Sequence, residues 1–208
     1  MKKIFAIAGK ACAGKDSLVK EIKRRIELPM ALSFTTRPKR DGETEGVEYN
    51  FITDDDFWDL YGYNMLAEYT SYEVANGETW HYGLTREELE KDDFVLVIVN
   101  PEGVEQLRKL YGERLVVIYI TADDKVRLKR YLDRDNTNNV AECCRRYLAD
   151  EKDFENFVYD YKLINHDFEL ALDKLERFIR NECGKEIHKE VQREFEKNPF
   201  KFIGDTNA

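Results

Sequence analysis

The chain has 208 residues, enough for one α/β domain with inserts and too few for two domains with full cores of their own. Lys and Arg total 33 against 42 Asp and Glu, a net charge of −9, which argues against a duplex-DNA binder that draws its affinity from phosphate neutralisation. Hydrophobic residues make up 42%, so a core can form, but the longest apolar runs, 94–99 and 115–120, are strand-sized and far below a membrane span.

Residues 3–8 are an apolar run that ends at Gly9-Lys10, which reads as a buried strand and is too short for the core of a secretion signal. The expected compartment is therefore the cytoplasm. Leu18, Val19, Ile22 and Ile26 form a helical stripe over 15–26, Pro29 closes that unit, and 31–34 resume as extended chain. Residues 33–91 then break the pattern. They are rich in Thr, Gly, Tyr and charge, with Ala75-Asn76-Gly77-Glu78 as a hairpin turn between two short strands, and Thr85 and Glu88 as a capping box that restarts helix near Glu87. The β-branched run 94–99 reads as a strand covered on both faces, followed by Asn100 and Pro101 as N-cap and first helical position. Residues 115–120 repeat the strand pattern, and Thr121, Asp123 and Asp124 open a long charged, helical stretch to 155, broken at 135–139. Residues 161–164 make a last strand, and Asp167 caps a helix striped with Leu170, Ala171, Leu175, Phe178 and Ile179. Beyond 184 one further amphipathic segment carries Ile187, Val191 and Phe195. Strands alternating with helices predict an α/β fold with a parallel sheet and helices on both faces. Cys12, Cys143, Cys144 and Cys183 lack any Cys-x-x-Cys spacing and are expected as free thiols.

Gly9-Lys10-Ala11-Cys12-Ala13-Gly14-Lys15 fits G-x-x-x-x-G-K between a strand and a helix. Glycines let backbone N–H groups curl around phosphate oxygens, the helix N-terminus adds positive potential, and Lys15 reaches the β- and γ-phosphates. The next residue is Asp16, followed by Ser17, where such loops continue directly with Ser or Thr. Asp16 and Ser17 are candidate Mg²⁺ ligands, since a carboxylate is a hard donor and the 94–100 strand ends without an Asp. Asp16 can equally serve as a helix cap.

The segment Ser33-Phe34-Thr35-Thr36-Arg37-Pro38-Lys39-Arg40-Asp41-Gly42-Glu43 resembles the signature of the guanylate kinase family. The resemblance continues through Gly46, Tyr49, Phe51, Glu68, Tyr82-Gly83, Arg130, Arg134, Tyr159-Asp160-Tyr161 and Asn165, over about residues 3–180 in the right order. It implies a three-layer P-loop NTPase core (1–32, 92–122 and 157–183), a mixed α+β NMP-binding insert (33–91), a helical lid (123–156) and a C-terminal extension (184–208). It also implies transfer of the γ-phosphoryl group from ATP to GMP or dGMP with Mg²⁺. Ser33, Arg37, Arg40, Tyr49, Glu68, Tyr82 and Asn100 are then the acceptor site. Residues 9–17, Arg130 and Asn165 hold ATP. Lys15, Arg40, Arg134 and either Arg145 or Arg146 stabilise the transferring phosphoryl group. The chemistry is consistent: arginines suit a monophosphate dianion, and Glu68 can accept two parallel hydrogen bonds from the N1–H and exocyclic amine of guanine. Arg127 reads as part of a solvated helix face.

Three positions depart from the pattern. Leu84 stands where the family has a Ser or Thr, and a one-residue shift points the side chain of the neighbouring Thr85 elsewhere; Asn100 replaces an Asp, keeping only an amide oxygen as acceptor; and the chain between Glu68 and Tyr82 is about five residues longer. A kinase of another acceptor, a deoxynucleoside monophosphate or ribose 1,5-bisphosphate, remains the alternative, as does a non-catalytic module that binds phosphopeptides. Small-molecule nucleotides are the expected partners, with no nucleic acid and no membrane, in a monomer or homodimer.

Overall fold

In chain order the elements are β1 (Lys3–Ala8), α1 (Lys15–Ile26), β2 (Phe34–Thr35), β3 (Asn50–Phe51), α2 (Asp54–Gly62), β4 (Leu66–Glu73), β5 (Thr79–Thr85), α3 (Arg86–Glu90), β6 (Phe94–Ile98), α4 (Pro101–Tyr111), a 3-10 turn (Gly112–Arg114), β7 (Leu115–Thr121), α5 (Asp124–Leu132), α6 (Val140–Asp153), β8 (Tyr161–Ile164) and α7 (Phe168–Lys197). This computed structural model describes residues 2–73, 77–133 and 140–197, and of 140–142 and 185–197 only the backbone.

Four strands form an all-parallel sheet in the order β6-β1-β7-β8. The side-chain period of two explains why the run in β1 is apolar throughout. Phe5 and Ile7 pack on one side with Leu18, Val19 and Ile22 of α1 and Leu172, Leu175 and Ile179 of α7. Ile4, Ala6 and Ala8 pack on the other with Val104 and Leu107 of α4 and with Ala67, Leu84 and Leu89 of the insert. Both faces are dry, as the sequence predicts. Asn100 caps α4 by accepting from the Gly103 N–H, with Pro101 in the first turn, as expected from sequence. Pro29 and Ala31 exchange backbone hydrogen bonds with Leu96, so the chain entering the insert adds a rung beside β6.

The insert is a second sheet, β3-β2-β5-β4, in which β4 and β5 are a long antiparallel pair from Leu66 to Glu73 and Thr79 to Thr85. The additional residues between Glu68 and Tyr82 lengthen this hairpin, with Ser71, Tyr72 and Glu73 paired to His81, Trp80 and Thr79. Of the expected turn, Gly77 has φ +84°, whereas Ala75 and Asn76 lie outside the described residues. Helix α7 runs unbroken through Gly184, where a separate segment was expected. A lone glycine costs a helix about 1 kcal/mol, too little to end it without a proline or a cap. Among the described residues no helix is long and apolar enough to cross a membrane.

Candidate active site

The parallel strands deliver the loop after β1, Asn100 after β6 and Asn165 after β8 to one edge, the carboxyl end, where open α/β sheets hold ligands. The loop is shaped by close approach. A Cβ at Gly9 would stand 2.1 Å from the Ile120 carbonyl oxygen, and Gly14, at φ +90°, would place one 2.4 Å from Asn165 Nδ2. Neither position tolerates a side chain. Gly14 is the N-cap of α1 and no side chain caps the helix, so Asp16, exposed in the first turn, contributes charge there rather than a capping hydrogen bond. Lys15 curls back, its Nζ donating to the carbonyls of Gly9 (2.7 Å) and Lys10 (3.3 Å). Burial pulls its pKa below the ordinary lysine value, against the opposing pull of Asp16 and Asp150.

Arg127 does not lie on a solvated face, contrary to the expectation from helical spacing. It is 3% exposed, and its guanidinium meets Asp150 (2.6 Å), Asp124 (3.0 Å) and the carbonyl of Ala11 (3.0 Å), with Tyr147 stacked on it. Asp150 also accepts from the Ala11 N–H at 2.7 Å, and Glu151 pairs with Lys10 at 2.5 Å. Helices α5 and α6 are thus riveted to the phosphate loop by charge, a contact between segments far apart in sequence that no local pattern announces. Arg130 bridges the loop and the end of β8, donating to Ala13 O (3.3 Å) and Asn165 O (2.9 Å). Asn165 donates from Nδ2 to Ala13 O at 2.8 Å. Arg146 lines the cleft beside Lys15 and Asp150, whereas Arg145 does not. Arg134 lies outside the described residues.

A cleft of about 450 Å³ joins Gly9 and Lys15 to Ser33, Tyr49, Glu68, Tyr82 and Asn100, bringing most of the expected acceptor residues together. Arg37 and Arg40 are not in its wall. Arg37 is 4% exposed and forms a two-pronged pair with Glu43 (2.7 and 2.6 Å), which holds the Glu43 carboxyl down at about 2. Sequence reasoning expects Arg37 to meet an acceptor phosphate; here the half-buried Glu43 carboxylate takes both prongs. Its guanidinium also lies 5.1 Å over the Tyr49 ring, which meets the Tyr82 ring edge-on. Arg40 is exposed at the insert surface, its backbone N–H donating to Glu43.

Glu68 sits at a β-bulge in β4, 6% exposed, its carboxyl with no hydrogen-bond or ion-pair partner among the described residues. Burial, reinforced by Glu102, raises its carboxyl pKa to about 8. Asn100 and Thr85 are both engaged within the protein. The Asn100 amide oxygen accepts from the Gly103 N–H at 2.7 Å, and its Nδ2 donates to Thr70 (3.2 Å) and Tyr72 (2.6 Å), so its oxygen and both amide hydrogens are engaged within the protein. Thr85 caps α3 through Glu88 N–H instead of replacing the missing hydroxyl, and Leu84 is fully buried in the apolar layer. Thr70 and Tyr72 were missed from sequence, although they follow Glu68 at the strand period of two and line the same cleft. Asp150 and Asp153 of α6, also in its wall, carried no sequence signal.

The family model for guanylate kinase matches residues 1–182. The guanylate kinase of Acinetobacter baylyi is 31% identical over 178 residues, 85% of each chain. That of Mycoplasmoides gallisepticum is 30% identical over 180 residues, 85% of this chain and 91% of its own. The crystal structure of guanylate kinase from Anaplasma phagocytophilum superposes with a TM-score of 0.66 at 21% identity, over 87% of this chain and 86% of that one, which supports the fold. A phosphate loop, an acceptor cleft and a sequence match over nearly all of the core place this chain in the guanylate kinase family.

Proposed function

We propose that this chain transfers the γ-phosphoryl group of ATP to GMP or dGMP. The observation that carries the reading is one continuous cleft with the phosphate-loop Lys15 at one end and, at the other, Glu68, buried and with no side-chain partner among the described residues. Burying a carboxyl without a partner costs free energy, and the N1–H and exocyclic amine of guanine supply the two donors that recover it. Ser33, Tyr49 and Tyr82 offer hydroxyl donors to the acceptor phosphate between those ends. Arg37 holds the Tyr49 ring and reaches that phosphate by exchanging Glu43 for it, while Arg40 adds charge from the insert surface. On the donor side Lys15 exchanges its two carbonyls for phosphate oxygens. Arg146, and with it Arg134 and Arg145, supplies cationic charge to the transferring group, whose transition state spreads negative charge over the phosphoryl oxygens. The three-strand-end geometry, with Arg130 and Asn165 at the loop base, keeps the phosphate cradle in shape for ATP.

Asp16 and Ser17 are hard oxygen donors exposed beside Lys15, a set that suits Mg²⁺, which takes few protein ligands and keeps waters and phosphate oxygens for the rest. Bound there, Mg²⁺ supplies charge neutralisation across the phosphate oxygens.

A second reading, altered base preference on the same chemistry, is favoured by Asn100 and Leu84, which remove an acceptor and a hydroxyl from the base end. A coupled assay with ATP–Mg²⁺ and GMP, dGMP, AMP, CMP, dTMP or ribose 1,5-bisphosphate as acceptors tests both. GMP and dGMP should give the highest kcat/KM. Turnover led by another acceptor would select the second reading, and GMP binding without turnover of any acceptor would leave a binding module.

A further inference from the structure

Helix α4 presents Asn100, Gly103 and Gln106, at successive steps of three, to strand β4 of the insert. Asn100 holds Thr70 and Tyr72. Gly103 lies under Glu68, where a Cβ would come within 2.8 Å of Glu68 Oε2. Gln106 meets the next residue of the strand: its Nε2 donates to Tyr69 O at 2.8 Å, and its Oε1 accepts from Tyr69 N–H at 3.0 Å. β4 is the edge of its sheet, so the outward N–H and C=O of Tyr69 have no strand to pair with. One side-chain amide takes the place of that strand, immediately after the bulge that turns Glu68 inward.

We propose that Gln106 is the positioning residue for acceptor recognition: by pinning the Tyr69 backbone to α4 it fixes where the Glu68 carboxyl stands in the cleft. The proposal rests on the guanylate reading above and deepens it. The Glu68 carboxyl packs over Gly103. It has no side-chain partner of its own among the described residues, and a second cavity of about 340 Å³, lined by Glu68, Tyr69, Asn64 and Gln106, opens behind it. Without the amide, water from that cavity can satisfy Tyr69, so the strand would keep its fold while losing its register against α4. Glu68 would then have somewhere else to go.

The test compares wild type, Gln106→Met, which keeps length and removes both hydrogen bonds, and Gln106→Glu, which keeps the acceptor and removes the donor. For Gln106→Met the GMP KM should rise about ten- to thirtyfold, with kcat at saturating GMP and the ATP KM within about twofold of wild type. Gln106→Glu should fall between the two. Preference for GMP over IMP, which lacks the exocyclic amine, should shrink in Gln106→Met, because a displaced Glu68 no longer reads that amine. In a Glu68→Ala background Gln106→Met should change the GMP KM by less than about twofold, since the two residues act as one unit. Additive effects in the double variant, an unchanged GMP KM, or a fall in kcat and Tm with both KM values unchanged would each overturn the positioning role. Should Gln106→Met not fold, the same cycle is run with Gln106→Glu. Wild type that neither binds nor turns over GMP would reject the guanylate reading itself, and the positioning role with it, a result that no Gln106 variant can mimic.

Discussion

The two ends of the cleft hold their charges in opposite ways. At the phosphate loop Arg127, Lys10 and Lys15 each have counter-groups within the protein: Arg127 with Asp150 and Asp124, Lys10 with Glu151, Lys15 with two carbonyls. At the other end Glu68 has none among the described residues, and its carboxyl is driven towards the neutral form. A ligand entering the loop must therefore exchange existing contacts for its own, a near-balanced trade that can move the α5–α6 layer. A ligand reaching Glu68 meets a group already stripped of water during folding, and its N–H donors recover a cost already incurred. On the proposed reading, the donor end is suited to exchange and the acceptor end to selection.

Breaking the rivets should give the largest effect. Arg127→Met leaves the half-buried Asp150 without its cation, and loss of one partner of a buried pair costs about 3–5 kcal/mol at most, read as a lower urea midpoint. Arg146→Met, on the exposed face of α6, should split the other way, with kcat falling while the midpoint barely moves. Lys15→Met comes next: kcat should drop about 10²–10³-fold, the size seen when a charge-stabilising donor is removed, while the GMP dissociation constant stays near wild type.

The contrast sharpens at Glu68 as a pH dependence. Its folded pKa of about 8 lies above the ordinary 4.5, so the folded chain holds a proton that the unfolded chain has released. Wild-type stability should then fall as pH rises from about 4.5 to 8, by a total on the order of a few kcal/mol, with Glu102 the facing charge that adds to the shift. Glu68→Gln should be flat across that window and bind GMP more weakly, as urea titrations at both ends and calorimetry with GMP would record. In wild type GMP binding should release a proton and tighten towards pH 8. Equal slopes for the two proteins would remove the contrast.

The smallest effect is expected at Asp16. Asp16→Ser should weaken apparent Mg²⁺ affinity and slow turnover, yet shift stability without nucleotide by less than about 1 kcal/mol, because no cap hydrogen bond is lost. Superimposable magnesium titrations of turnover would end the metal role.

The parts legible in the sequence were those set by neighbours along the chain. The strand of β1, the glycine-bounded loop, the Asn100-Pro101 helix start and the Thr85 cap each follow from local pattern, because a hydrogen-bonded turn or an alternating strand needs only residues a few positions apart. Family resemblance then carried Glu68, Tyr49 and Tyr82 to one site, and the cleft contains all three. Tertiary structure alone decided what each charge does. Arg127 read as surface because its stripe is polar, yet Asp150 and Ala11, distant in sequence, make it a buried rivet. Arg37 carries the expected fork, but Glu43 fills it. Asn100 spends its oxygen on its own helix, and Gln106, an unremarkable helical polar residue in sequence, closes the open edge of β4. Local geometry is written in periodicity and caps; the pairing of a charge or an amide depends on which distant backbone the fold brings within about 3 Å, and no spacing along the chain encodes that distance.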